Sequence, residues 1–265
     1  GIYLADGSIN GENIRITKIA PVVEERLSEL AAQYKLPFST RNYQGEYGPS
    51  KDNIITDKSL ATFMKKEFKT GSYDKSLPAW VYASNLQFIR GLLSGYFDGD
   101  GNVNASKHML RVSSRSETLI NDICLLLAYV GIFASLLKEK SVNQPGKTQY
   151  NLSVPKKYAE QFKNQVGFNM VEKAEELDKI ILWNNRNARH DNKEYIDKIP
   201  ACGQLIADIG YELRLPEQSS YYRRWMNKPS IGRRTLQSYI PVFEAEQAIQ
   251  QVPGVSEKIN LLKKA

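Results

Sequence analysis

The chain has 265 residues, 42% of them hydrophobic, and a formal net charge of +7. That length and apolar content allow two or three packed modules and exclude a disordered polypeptide, while the charge favours a polyanionic partner. The longest apolar stretch, ICLLLAYVGIF (123–133), is too short to cross a bilayer and no signal peptide is visible, so the expectation is a soluble, intracellular, cytoplasmic protein without a membrane partner.

In chain order, GIYLADGSIN (1–10) is a helix-like run that ends on Asp6 and Gly7. NIRITK (13–18) alternates as a half-buried strand, with Ile14 and Ile16 inward and Arg15 and Thr17 outward. PVVEERLSELAAQYKL (21–36) is an amphipathic helix. FSTRNYQGEY and DNIITDK are strands, and SLATFMKKEF (59–68) is a helix. The series then starts again. GLLSGYFDGDG (91–101) ends on an acidic cluster, and MLRVSS (109–114) places Leu110 and Val112 inward against Arg111 and Ser113. SETLINDICLLLAYVGI (116–132) is the helix. ASLLKEKSV and TQYNLSVP are strands joined by a turn at NQPGK, and KKYAEQFKNQV (156–166) closes the copy.

Laid over GYFDGDGNVN (95–104), the opening decapeptide matches Gly1 to Gly95, Asp6 to Asp100, Gly7 to Gly101 and Asn10 to Asn104. Two copies of a helix, two strands, helix, two strands, helix unit are therefore expected in tandem. Gly1 with Ala5 and Gly95 with Gly99 are small residues four apart on one helix face, a spacing that lets two backbones approach closely. Packed through those faces, the two helices would end side by side and bring Asp6 next to Asp100. Two carboxylates at helix C-termini repel each other and oppose both macrodipoles. Hard divalent cations compensate such a pair, with the backbone carbonyls of Ala5 and Gly99 as further oxygen ligands. That is the arrangement for two-metal phosphodiester hydrolysis.

Two plainer readings of DGDGN fail. As a calcium loop counted from Asp98, it has Val103 where glycine is needed and Met109 where glutamate is needed. As an ordinary turn it has no reason to recur inside a larger repeat. Cys124 lies in an apolar run and is expected in the core. Neither it nor Cys202 forms a C-x-x-C pair, so disulfides and zinc are not expected. His108 and His190 stand outside any motif and are expected on the surface or in loops.

LSGYFDGDG (93–101) resembles the LAGLIDADG motif of homing endonucleases, and GIYLADG resembles the same motif without its first two positions. KSLPAWV (75–81), LINDICLLLAYVGI (119–132) and FKNQVGFNMVEKAEEL (162–177) resemble, in order, the blocks between and after the motifs in archaeal inteins. The resemblance implies an α+β fold in which two pseudo-twofold αββαββα repeats form a saddle of antiparallel strands over the DNA major groove. It implies metal ligation by Asp6 and Asp100, a structural role for Asp98, and catalytic lysines at Lys75 and Lys173. Two or three Mg2+ ions, replaceable by Mn2+, would serve a monomer that cuts both strands of a long double-stranded target and leaves short 3′ overhangs. Arg15, Thr17, Arg41, Tyr43, Arg111, Ser113, Gln149, Asn151 and Ser153 would read bases. Lys138, Lys140 and Lys147 would contact phosphates.

After WNNRNARHDNKEY (183–195), a polar stretch that reads as a linker, a third region is expected to be helical and to bind DNA, as a helix-turn-helix. YYRRWMNKPSIGRR (221–234) supplies Arg223, Arg224, Arg233 and Arg234, and Ser230 is placed to cap the following helix. The expected division is 1–82 and 83–183 for the repeats and 184–265 for the third region. Intein splicing needs a Cys or Ser at the first residue and a terminal His-Asn pair. This sequence has neither, so it reads as a free-standing endonuclease or one cut from an intein. Two other readings stay open: a non-cleaving DNA-binding regulator on the same scaffold, and an intron RNA maturase.

Overall fold

The computed structural model describes residues 1–45, 48–140, 146–186, 198–215 and 225–264, with the backbone but not the side chain of residue 234. Two compact units, 1–188 and 189–265, divide the chain. In the first unit the order is α1 (Ile2–Asp6), β1 (Gly7–Asn10), β2 (Asn13–Thr17), α2 (Pro21–Gln33), β3 (Phe38–Gly45), β4 (Gly48–Thr56) and α3 (Lys58–Phe68). The second round is α4 (Leu86–Asp100), β5 (Gly101–Asn104), β6 (Met109–Ser114), α5 (Glu117–Tyr129), β7 (Ser135–Lys140), β8 (Thr148–Val154) and α6 (Ala159–Gln165). A further helix, α7 (Val171–Arg186), completes the unit.

The two sheets have the same wiring, β1-β2-β4-β3 and β5-β6-β8-β7, and all pairs are antiparallel. The fold is α+β, made of two αββαββα repeats. Ile14 and Ile16 of β2 and Leu110 and Val112 of β6 face inward. Tyr150, Leu152 and Val154 do the same on β8, as period-two alternation requires. The two repeats do not have separate cores. One continuous apolar cluster runs from Tyr3 to Ile180.

The helix pairing explains the small residues. A side-chain carbon added at Gly99 would lie 2.2 Å from the Ala5 methyl and 3.0 Å from Asp6 Oδ2, so α1 and α4 touch along this face. At Gly101 an added carbon would lie 2.2 Å from the Phe97 carbonyl, which is why a glycine follows the carboxylate where the helix turns directly into β5. Capping is local and legible: Asp57, Asn85 and Ser116 each accept from a first-turn amide of α3, α4 and α5. Ser116 also donates to the Lys75 carbonyl at 2.6 Å, and Asp122 on α5 accepts from the Leu77 amide and the Tyr82 hydroxyl. The connection between the repeats is thus held against the second repeat's helix.

Asp98 is 4% exposed and turns into the fold. Its carboxylate accepts from the backbone and side-chain nitrogens of Asn169 and from the Met170 amide, which fixes the start of α7. Asp98→Ala removes the acceptor that these three donors share. It is expected to destabilise the protein by about 3 kcal/mol, read as a lower urea midpoint.

In the second unit, β9 (Lys198–Pro200) pairs with β10 (Ser230–Gly232), and α8 (Gly203–Glu212), α9 (Arg233–Gln250) and α10 (Val255–Lys264) carry the core. Ile206, Leu213, Phe243, Val255 and Ile259 lie in it. Ser230 is not the helix cap. It pairs across the ladder with Pro200, the cap position falls on Gly232, and no side chain caps α9. A strand rather than a turn leads into α9, and the four residues 251–254 join α9 to α10. Cys124 is only partly buried, at the edge of the core, whereas Cys202 is buried; both are free. His108 stacks on Trp183, with ring centres 4.0 Å apart. His190 and most of the linker-like stretch lie outside the described residues.

Candidate active site

Asp6 and Asp100 are the last residues of α1 and α4, and helix pairing places each in the other's field. The Asp100 carboxyl is pushed up from 3.8 to about 7, mainly by burial and then by the Asp6 charge, against the pull of Lys75, Lys18 and Lys173. Oδ2 of Asp6 is buried and accepts no hydrogen bond, although the Lys18 ammonium stands 3.0 Å away as an ion pair.

Lys75 and Lys173 serve the helix ends. Lys75, only 5% exposed, donates to the carbonyls of Tyr3, Leu4 and Gly7 at 2.9, 3.0 and 2.8 Å. Lys173 donates to Phe97 and Asp98 at 3.0 and 2.6 Å. Each ammonium therefore satisfies orphan carbonyls and opposes the negative end of its helix, which offsets the carboxylate placed there. Burial lowers both lysines to about 8. The two come from different places, Lys75 from the connection between repeats and Lys173 from α7, yet they do the same work. Lys173 is not a solvated helix charge.

The carbonyls expected to bind metal are already engaged. Gly99 oxygen accepts from Lys18 at 2.8 Å and from Lys173 at 3.3 Å, and Ala5 oxygen accepts from Lys75 at 3.4 Å. Lys18 is the site residue that sequence reasoning missed. Its distance in sequence from Gly99 hides the contact, and the second repeat has Ser114 in its place.

The strand faces gather most of the expected base-reading residues. In the first sheet Thr17 and Arg41 both pair with Asp52, and the hydroxyls of Thr17 and Tyr43 donate to Asp52 Oδ1 at 2.7 and 3.2 Å. Arg41 is exposed, and Arg15 holds a buried Nε without a hydrogen-bond partner. In the second sheet Ser113 and Asn151 pair, and Ser113 donates to Asn151 at 2.6 Å. Asn151 departs from the expectation of a free reading residue. It is 3% exposed because its amide donates to Glu139 at 2.6 Å, so an acidic side chain covers it. Gln149, Arg111 and Ser153 are partly exposed on the same sheet, and Lys138, Lys140 and Lys147 are exposed. Lys138 lies 5.3 Å from the Tyr150 ring centre and 3.9 Å from Glu117. Arg233 is exposed at the start of α9, while Arg223 and Arg224 and the side chain of Arg234 lie outside the described residues.

Residues 87–167 match the family described as a LAGLIDADG-like domain. The second repeat is thus a LAGLIDADG-like domain. The whole chain is 32% identical over 267 residues to DNA-directed RNA polymerase subunit Rpo1C of Methanocaldococcus jannaschii, covering all of this chain and 30% of that protein. A probable translation initiation factor IF-2 from the same organism is 27% identical over 199 residues, or 72% of this chain and 16% of that protein. The chain thus spans less than a third of the length of these relatives. Among solved structures, I-DmoI in complex with DNA and Mn aligns with a TM-score of 0.45 at 10% identity, over 58% of this chain and 80% of that one. No helix among the described residues is long and apolar enough to cross a membrane.

Proposed function

We propose that the protein is a site-specific homing endonuclease that cleaves both strands of a long duplex by metal-dependent phosphodiester hydrolysis, leaves short 3′ overhangs and acts as a monomer. The observation that carries this reading is the pair of partly buried carboxylates at the ends of two touching helices, one of them with a buried oxygen that accepts no hydrogen bond. Such a donor set fits a hard divalent cation, Mg2+ or Mn2+. Among the described residues no three His, Cys, Asp or Glu side chains converge, so the remaining ligands would be water and phosphate oxygens. When bound, the cation supplies Lewis-acid stabilisation of the attacking and leaving oxygens. Asp6 and Asp100 would hold it. Lys75 and Lys173 hold the helix ends in place and keep positive charge beside the phosphates.

The relatives support a mobile origin. Segments like this chain occupy a minor share of an RNA polymerase subunit and of an initiation factor, two proteins with unrelated tasks. A coding element inserted into different genes leaves that distribution, in agreement with an intein-encoded enzyme. Retention of both motif carboxylates weighs against the non-cleaving regulator.

The test is to sequence the ends produced from a large randomised duplex library with Mg2+, beside Asp6→Asn and Asp100→Asn controls. One recurrent long site, cut on both strands and absent from the controls, is the expected result. A specific duplex enriched by binding but never cut would replace the endonuclease with a regulator. On that site, Arg41→Ala is expected to weaken binding by about tenfold, about 1.4 kcal/mol. Because Arg41 is assigned to a base, the slope of log affinity against log salt should hold, whereas loss of a phosphate contact would flatten it by about one.

A further inference from the structure

The two repeats differ at the carboxylate pair in one charged residue. Gly7 pairs with Ile16 and Gly101 with Val112, so Lys18, two residues past Ile16, corresponds to Ser114, two residues past Val112. Ser114 offers only a hydroxyl, which accepts from the Ser116 amide at 3.1 Å. Lys18 places an ammonium 3.0 Å from Asp6 Oδ2 and 2.8 Å from the Gly99 carbonyl, so it bridges one oxygen from each repeat.

The support beneath Lys18 is likewise confined to the first repeat. Asn53, 1% exposed, donates to the carbonyls of Ile16 and Lys18 at 3.2 and 3.1 Å. Its own Oδ1 is buried without a partner. The corresponding residue in the second repeat, paired with Val112 as Asn53 is with Ile16, is the fully buried Leu152. A buried amide with an orphan oxygen destabilises relative to leucine. It is kept in the repeat where the strand end must be held so that Lys18 reaches across to the carboxylates.

An ammonium is a tethered cation with three donors, here set against oxygens of the kind a divalent ion takes. We propose that Lys18 is a built-in counter-ion of the Asp6–Asp100 pair, a positioning residue that a divalent cation must displace from Asp6, and that its presence in one repeat only makes the two half-sites load metal unequally. This rests on the metal-dependent reading of the same pair. When the cation enters, the Lys18 ammonium leaves Asp6 Oδ2 and is free to pair with a phosphate oxygen; without it, Lys18 keeps the two carboxylates together.

The test uses the full chain and two readouts that need no DNA. In a Mn2+ titration followed by the electron paramagnetic resonance of the free ion, Lys18→Met removes the competitor and should bind roughly tenfold more tightly than wild type. Lys18→Arg should stay close to wild type, and Asp6→Asn should lose the site. Unchanged or weaker affinity in Lys18→Met overturns the displacement. In chelator, Lys18→Met should melt about 2–4 °C below wild type, with Lys18→Arg restoring most of the difference. An unchanged melting temperature would remove the counter-ion role even if the protein cuts DNA. Both readouts as expected, with no DNA cleavage by wild type, would keep the Lys18 assignment and remove the endonuclease.

Discussion

Asp100→Asn is expected to abolish DNA cleavage while leaving target binding within about threefold of wild type. The argument is electrostatic and local. The carboxylate is one of two at the ends of paired helices, each in the other's field, and Asn keeps its shape while removing the charge that would hold a cation in the proposed enzyme. Metal coordination is worth several kcal/mol of transition-state stabilisation, so its loss corresponds to about three orders of magnitude in rate or more. In the proposed endonuclease, binding would rest on the strand faces and on phosphate neutralisation, which the substitution does not touch. The measurement is a gel-based cleavage time course and a binding titration on the same duplex. Asp6→Asn should behave alike. Cleavage by Asp100→Asn at even a tenth of the wild-type rate would remove Asp100 from the chemistry.

The same carboxylate is expected to control how stability responds to pH when divalent ions are chelated. Its pKa rises from 3.8 to about 7 in the fold, so the protonated form is favoured there. Below about pH 4 the group is neutral in both states and costs nothing. Between pH 4 and 7 the unfolded chain releases the proton while the folded one keeps it, and stability falls through that window. At about 1.4 kcal/mol per pKa unit the loss reaches about 4 kcal/mol by pH 7 and then levels off. Asp100→Asn lacks the penalty. In chelator it should therefore be more stable than wild type at pH 8, and the difference should shrink towards pH 4.5. Added Mn2+ should reverse the order at pH 8, because it binds the wild-type pair and stabilises it by mass action. Denaturant midpoints across pH, with and without Mn2+, measure both effects. A wild-type–variant difference that does not change with pH would show that the carboxylate is not held in a penalising environment.

Much of the architecture was legible because the same pattern occurs twice. Matching Asp6 to Asp100 and the alternation of Ile14, Ile16, Leu110 and Val112 required only periodicity and an offset, and small residues four apart pointed to the touching helices. Local propensity failed where a distant partner competed with it. Ser230 had the chemistry of a cap, but its backbone is taken by a ladder with Pro200, thirty positions earlier. Asn151 had the right alternation for a reading residue, and Glu139 from the neighbouring strand covers it. Lys18 escaped for the opposite reason: comparing repeats reveals what they share, and Lys18 is where they differ.

By itself, then, the sequence determined the duplication and the alternating strand faces, since each depends on residues close together or on a repeat of such residues. Only the tertiary structure decided which carbonyls Lys75 and Lys173 cap, that Lys18 bridges Asp6 and Gly99, and that the two repeats share one core. The bonds from these lysines to the Tyr3, Asp98 and Gly99 carbonyls join residues about 70 to 80 positions apart, and an ammonium satisfies whichever oxygens the folded chain presents to it, a preference with no period to read.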